Sequence, residues 1–389
     1  MEDNDILRLH EQNNGVLDIH SDLRVKNSSD LAKAYTPGVA SLSKAIVNDP
    51  DLKAKVTLSG KLVALVTDGS AVLGLGNIGP DGGLPVVEGK ALLYKDLANV
   101  NALPMAVDQV APDEFVKTIK NIQRSFAGIH LEDIAAPRCF EIEEKLSKEL
   151  NIPVYHDDQE GTAVVVLAGL INAAKVAHKR LKDLKIVING VGASGVATAS
   201  LLDRIGLKNI TLVDVNGVIQ EDSPNTNKYQ RRLASRINSA SGKTLDEVID
   251  GQDVFIGLST ADVLSAQQVK RMAEDPIIFA LANPQPEIKP DQAKKAGASV
   301  IATGSSQYPN QVNNILVFPG LFKGMLESKL NLLDYKVEAV VAQALAGMIS
   351  EPTAEKIIPG VFDDGVVETV SKTLINFSEN GAQDITEAS

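Results

Sequence analysis

The sequence predicts an α/β protein, with a Rossmann-type, doubly wound parallel sheet in the second half and an N-terminal mixed α/β domain before it. Three observations carry this. From about residue 160 onward, short β-branched runs alternate with helical stretches, the rhythm of a parallel sheet with helical crossovers. At residues 185–204 a strand, a G-x-G-x-x-G turn and a helix follow one another without a gap. The length, 389 residues of which 44% are hydrophobic, exceeds one ordinary core and suits two domains.

Taken in order, "LVALVTD" (62–68) reads as a buried strand and "PDEFVKTIKNIQRSF" (112–126) as a helix. "GIHLEDI" (128–134) reads as a short extended piece, and "PRCFEIEEKLSKEL" (137–150) as a helix opened by Pro137. The division is expected within "NIPVYHDDQEGTA", giving domains 1–158 and 159–389. "AVVVLAGLINAA" (163–174) is broken by Asn172 and too short to cross a bilayer, so it should be a buried helix. "KIVING" (185–190), "NITLVDV" (209–215), "DVFIGLS" (253–259), "IIFALAN" (277–283) and "VIATG" (300–304) are the expected strands of the second sheet. The C-terminal "LFKGMLESKL" and "EAVVAQALAGMI" are helical and could pack on either domain.

Composition narrows the function. A net charge of −12 argues against nucleic acid as a partner. A single cysteine, Cys139, excludes an internal disulfide and suits a reducing cytoplasm. The acidic, polar N-terminus lacks the pattern of a secretory signal, and no membrane association is expected.

Two runs have G-x-G-x-x-G spacing. In the second, Gly190 makes the tight turn, Gly192 lets backbone approach a pyrophosphate, and Gly195 lets helix and strand pack closely. The helix N-terminus at Ala193 and Ser194 then offers free N–H groups to the phosphates. Asp214 ends the next strand, placed to bind an adenosine ribose. No base stands at Val215 or Asn216, and Asp214 would repel a 2′-phosphate, so NAD is favoured over NADP. Lys228, Arg231 and Arg232 could fold back as a phosphate clamp, but they read more simply as a solvated helix face. The first run, Gly74, Gly76 and Gly79, is followed by "PDGGLP", which is not expected to open a helix. It reads as a tight turn or close backbone packing near a pocket.

Two acidic pairs, Glu132–Asp133 and Asp157–Asp158, lie near the expected domain seam. Carboxylates sharing a cleft repel one another, and a divalent cation relieves the repulsion. Oxygen ligands select Mg²⁺ or Mn²⁺. Either pair alone could be surface acid, and Asp157, Asp158 and Glu160 stand where helix caps stand. His130 and His156, beside these pairs, read as structural.

Seven stretches, in order over roughly residues 16–330, resemble the short bacterial malic enzymes: "KAYTPGVA", "GLGNIGPDGGLPVVEGKALLYK", "GIHLEDI", "HDDQEGTA", "VINGVGASGVA", "FALANPQPEI" and "NQVNNILVFPG". The resemblance implies oxidative decarboxylation of L-malate to pyruvate and CO₂ with a nicotinamide cofactor and Mg²⁺ or Mn²⁺, in a homodimer. By position, Tyr35 matches the general acid and Lys90 the general base. Glu132, Asp133 and Asp158 match the metal ligands, and Asp157 the acid paired with the lysine. Asn283 and Asn314 match amides that hold substrate or nicotinamide. The first glycine run matches the substrate side of the cleft. Ala71 stands where long animal forms carry an arginine for a substrate carboxylate. Two other functions use much the same residues: a malolactic-type lyase making lactate with bound NAD, and a nucleotide-sensing protein without chemistry.

Overall fold

The computed structural model describes residues 3–19, 21–72 and 74–380. The chain opens with four helices: α1 (Asp3–Asn13), α2 (Ser28–Ala34), α3 (Gly38–Asn48) and α4 (Leu52–Val56). Helices α2, α3 and α4 bury none of their residues, and Leu7, Leu9, Leu31, Leu42 and Val47 stand exposed along this segment.

The first sheet is built from β1 (Leu62–Thr67), α5 (Gly79–Ala98), β2 (Asn101–Ala106), α6 (Pro112–Ile122), β3 (Gly128–Glu132), α7 (Arg138–Glu149) and β4 (Val154–His156). Its strands are parallel, in the order β2-β1-β3-β4. The central strand β3 is buried along its whole length, and β1 everywhere but Leu62, as expected of parallel strands covered on both faces. Strand β2, "NALPMA", carries Pro104, which an edge strand tolerates because no ladder bond is lost there.

Helix α5 overturns the expectation that "PDGGLP" cannot open a helix, because it starts at Gly79 itself. Pro80 occupies the first turn, where a backbone N–H would have no partner in any case. Gly83 lets the helix lie directly on the sheet: a Cβ there would come within 3.1 Å of Thr67. Packing outweighs weak helix propensity here.

After β4 a single π-helical turn, Asp157–Gly161, leads into α8 (Thr162–Val176). The second sheet follows with β5 (Ile186–Asn189), α9 (Ala193–Arg204), β6 (Ile210–Asp214), β7 (Gly217–Val218), α10 (Lys228–Ala234), α11 (Leu245–Val248), β8 (Val254–Gly257), α12 (Ala266–Val269), β9 (Ile277–Ala280), α13 (Pro290–Lys295) and β10 (Val300–Thr303). The order is β10-β9-β8-β5-β6-β7, parallel except for β7. From β5 the chain passes to β6 on one side and later to β8 on the other. That reversal is a topological switch point, where doubly wound sheets bind ligands.

Helix α8 is apolar all round and buries eleven of its fifteen residues, as its composition predicts. Helices α14 (Phe318–Ser328), α15 (Tyr335–Gly347) and α16 (Val366–Asn380) pack back over both halves, α15 on α8 and α14 on α5. Asn172, the polar break in α8, donates its amide to the carbonyls of Ala346 and Ile357, each at 2.9 Å. Among the described residues no helix is long and apolar enough to cross a membrane. Asn172→Ala leaves both buried carbonyls short of a donor and should cost on the order of 2–4 kcal/mol. Urea unfolding with an unchanged m-value checks this.

Candidate active site

The acidic pairs arrive on neighbouring strands. Strand β3 ends in Glu132, with Asp133 next in a left-handed conformation (φ 55°). Strand β4 pairs with β3 and runs through the π turn into Asp157 and Asp158. Because the strands are parallel, both segments deliver their carboxylates to the same end of the sheet. The π turn sends its two acids to different partners. Asp158 Oδ2 accepts the Asp133 amide at 2.9 Å, while Asp157 meets Lys90 of α5. Ligand oxygens of Glu132, Asp133 and Asp158 all lie within 4.8 Å of one another. The Lys90 ammonium bridges Asp157 and Glu132 Oε2, the latter at 2.5 Å. Asp157 also accepts from the Tyr155 hydroxyl, and the Asn314 amide lies 3.2 Å from both its carbonyl and its Oδ2. None of these acids caps a helix, and Glu160 accepts the His156 amide instead.

Behind the carboxylates sits a buried polar layer. The Tyr94 hydroxyl lies 2.7 Å from His130 Nδ1, and His130 Nε2 lies 2.8 Å from Glu132 Oε2. Gln159 Nε2 lies 2.8 Å from His156 Nδ1, and His156 Nε2 stands 3.0 Å from Asp158 Oδ2. That last contact is close enough for pairing but too far off line to count as a formed hydrogen bond.

Burial pushes both Glu132 and Asp133 up, to about 8, with neighbouring carboxylates adding to it against the pull of Lys90. Burial also acts to raise Asp158, but its close pairing with His156 and the charge of Lys90 outweigh it, leaving Asp158 at about 2. Burial alone would lower Lys90, yet Asp157, Glu132 and Asp158 together raise it well above an ordinary lysine. Protons thus offset the excess of negative charge, a task a divalent cation also performs. Asp133 Oδ2 is buried with no hydrogen-bond partner among the described residues, and the donors are all oxygens, so this cluster fits Mg²⁺ or Mn²⁺.

The dinucleotide loop lies at the switch point. Gly190 has φ 104°, and a Cβ there would run into the Leu258 carbonyl. A Cβ at Gly192 would meet nothing within 4 Å, which leaves that face open to a ligand. One at Gly195 would strike the Gly190 carbonyl. Ala193 and Ser194 form the first turn of α9. Asp214 ends β6 and accepts the Asn216 amide at 2.7 Å. Arg231 is engaged with the Thr226 carbonyl at 2.8 Å and Lys228 lies over the Tyr229 ring, so both serve their own segment.

The structure therefore brings together Lys90, Glu132, Asp133, Asp157, Asp158 and Asn314. Asn283 lies against the first glycine run: Pro284 and the Asn283 carbonyl stand about 3.5 Å from where a Gly74 Cβ would be. The Ala71 amide donates to the Asp133 carbonyl at 2.9 Å. Tyr35 does not join the cluster. It ends α2, 66% exposed, and its hydroxyl has no hydrogen bond among the described residues. The sequence reading missed Tyr94, Tyr155 and Gln159 and took both histidines as structural. Spacing held the signal: His130 shares a strand face with Glu132, and Tyr94 lies one helical turn beyond Lys90.

Beyond the π turn lies a separate cavity of about 350 Å³, lined by Glu143, Glu160, Arg204 and Glu338 among others. It contains none of the clustered carboxylates. Burial pushes Glu338 to about 8, helped by Glu143 and Asp334 and opposed by Arg204. A carboxyl raised on folding contributes stability that is present below its ordinary pKa and lost as pH rises through 8. The Tm should therefore fall between pH 5 and pH 9, and Glu338→Gln should flatten part of that fall. An unchanged slope in thermal melts of the variant would count against this assignment.

Comparison with known proteins identifies the family. The family model described as "Malic enzyme, NAD binding domain" matches residues 159–374, and "Malic enzyme, N-terminal domain" matches 17–112 and 109–147. A bifunctional malic/malolactic enzyme of Bacillus subtilis is 46% identical over 98% of this chain and 94% of its own length. An NAD-dependent malic enzyme of Geobacillus stearothermophilus is 46% identical over 93% of this chain and 76% of its own. The solved malic enzyme from Pyrococcus horikoshii superposes with a TM-score of 0.93 at 40% identity, covering 98% of this chain and 92% of that one. With two family models spanning most of its length and relatives this similar, the chain belongs to the malic enzyme family.

Proposed function

We propose that the chain oxidatively decarboxylates L-malate to pyruvate and CO₂ with reduction of NAD, using Mg²⁺ or Mn²⁺ at Glu132, Asp133 and Asp158. The observation that carries this is the meeting of a lysine with three cation-fitting carboxylates. When bound, the nicotinamide accepts a hydride and the cation polarises the C2 oxygen. Gly190, Gly192, Ala193, Ser194 and Gly195 cradle the pyrophosphate, and Asp214 takes the ribose, which favours NAD over NADP. Lys90 accepts the C2 hydroxyl proton. To do so it must first be neutral, and two of the carboxylates that hold it protonated, Glu132 and Asp158, are ones a cation would neutralise. Asp157 orients the lysine, Asn314 holds Asp157 and the substrate side, and Asn283 lines the same side beside Gly74.

When the C3–C4 bond of the oxidised acid breaks and CO₂ departs, its electron pair passes into an enol, and Tyr35 protonates C3 of that enol to give pyruvate. Its exposure, and the uncovered apolar side chains around it, support a homodimer in which a second copy covers this segment and seats the phenol. The one cysteine, buried as a free thiol, suits a cytoplasmic location. A second reading, malate to lactate with bound NAD, draws support from the bifunctional Bacillus subtilis relative.

Mixing protein, L-malate and Mn²⁺ with NAD or NADP should generate reduced cofactor, faster with NAD, and a chelator should stop it. Lactate without net NADH would select the second reading, and no turnover with either cofactor would reject both. Lys90→Ala and Asp158→Ala should each lower kcat by at least about 100-fold while NAD binding is kept. A near-normal rate in either refutes its role.

A further inference from the structure

We propose that His130 and His156 are positioning residues that select which oxygen of Glu132 and of Asp158 faces the cation. This rests on the metal-dependent reading above. Both protein donors to Glu132, Lys90 Nζ and His130 Nε2, reach the same oxygen, Oε2. Both groups facing Asp158, the Asp133 amide and His156 Nε2, likewise lie at one oxygen, Oδ2. No donor among the described residues reaches Glu132 Oε1 or Asp158 Oδ1. Each carboxylate is thus occupied on one side and left with one oxygen to give.

The ring orientations follow from hydrogen-bond chemistry. With a cation at the site Glu132 is ionised and its oxygens only accept, so the His130 nitrogen facing it then carries the proton, and Nδ1 accepts from the Tyr94 hydroxyl. Gln159 Nε2 faces His156 Nδ1 at 2.8 Å and His156 Nε2 faces Asp158 Oδ2 at 3.0 Å, and Nε2 presents a proton to that carboxylate whether the ring is charged or is neutral with Nδ1 accepting from Gln159. Two separate relays, Tyr94–His130–Glu132 and Gln159–His156–Asp158, converge on two of the three candidate ligands. His130 has no freedom to turn. It is fully buried, stacked 6.1 Å from Phe322 and edge-on to Tyr155 at 5.1 Å. Partners of this kind fix ligand geometry, and their loss typically weakens metal binding about 10–100-fold.

The test is Mn²⁺ affinity, read by electron paramagnetic resonance or calorimetry without substrate, with NAD affinity and circular dichroism as controls. His130→Leu and His156→Leu should each bind Mn²⁺ about 10–100-fold more weakly, with NAD affinity unchanged. His130→Gln and His156→Gln, which keep an N–H donor, should recover most of the loss. Tyr94→Phe removes one hydroxyl and leaves the aromatic packing in place, so it should shift Mn²⁺ affinity in the same direction even if His130→Leu does not fold. If the Leu variants and Tyr94→Phe bind as wild type does, or if Gln loses as much as Leu, the positioning role is overturned. If wild type itself fails to bind Mn²⁺, the metal-dependent reading falls first, and this inference with it.

Discussion

Four carboxylates facing one ammonium is the constraint on which the rest of this structure depends. At separations near those among Glu132, Asp133 and Asp158, two like charges repel by about 3–4 kcal/mol at an effective dielectric of about 20. A site carrying several such pairs stays together only if something cancels charge: a proton, the lysine or a cation. The parallel sheet makes the repulsion unavoidable, because β3 and β4 must end on the same side. Any function for this protein has to begin from that imbalance.

The imbalance is tolerated because the groups around it are held rigidly. Phe318 and Phe322, on α14, pack around Tyr94 and His130 at ring-centroid distances of 4.8 to 6.1 Å. A C-terminal helix thereby stiffens the back wall of a site whose front is built from the first half of the chain. The polar layer between wall and carboxylates is fully buried, and buried polar groups in a fixed network have few alternative arrangements. Helix α8 then carries the chain from the π turn directly to the second sheet, so the acidic cluster and the dinucleotide loop share one buried support.

How much of this could be read from the sequence depended on how local each feature is. The dinucleotide loop was legible because strand, glycines, helix and Asp214 fall within some thirty residues, and each glycine has its own steric reason. The acidic pairs were visible, but their convergence was implied only by the family resemblance, since it depends on the register of β3 against β4. Lys90 stood out only through family resemblance. Its helix was obscured by glycines and prolines that weaken a helix in isolation but suit one laid flat on a sheet. Strand β2 was hidden for a related reason, because Pro104 argues against a strand unless that strand lies at the edge. Tyr35 shows the limit: its motif is clear, yet one chain leaves it on the surface.

Asn314 ties these levels together. It follows β10, at the far side of the second sheet, and its amide lies against both the carbonyl and the side chain of Asp157. The two halves are therefore geared at the acid that grips the lysine. A residue of the second half thus donates to the carboxylate that pairs with Lys90, so the charge Asp157 presents to the amine is set by both halves of the chain.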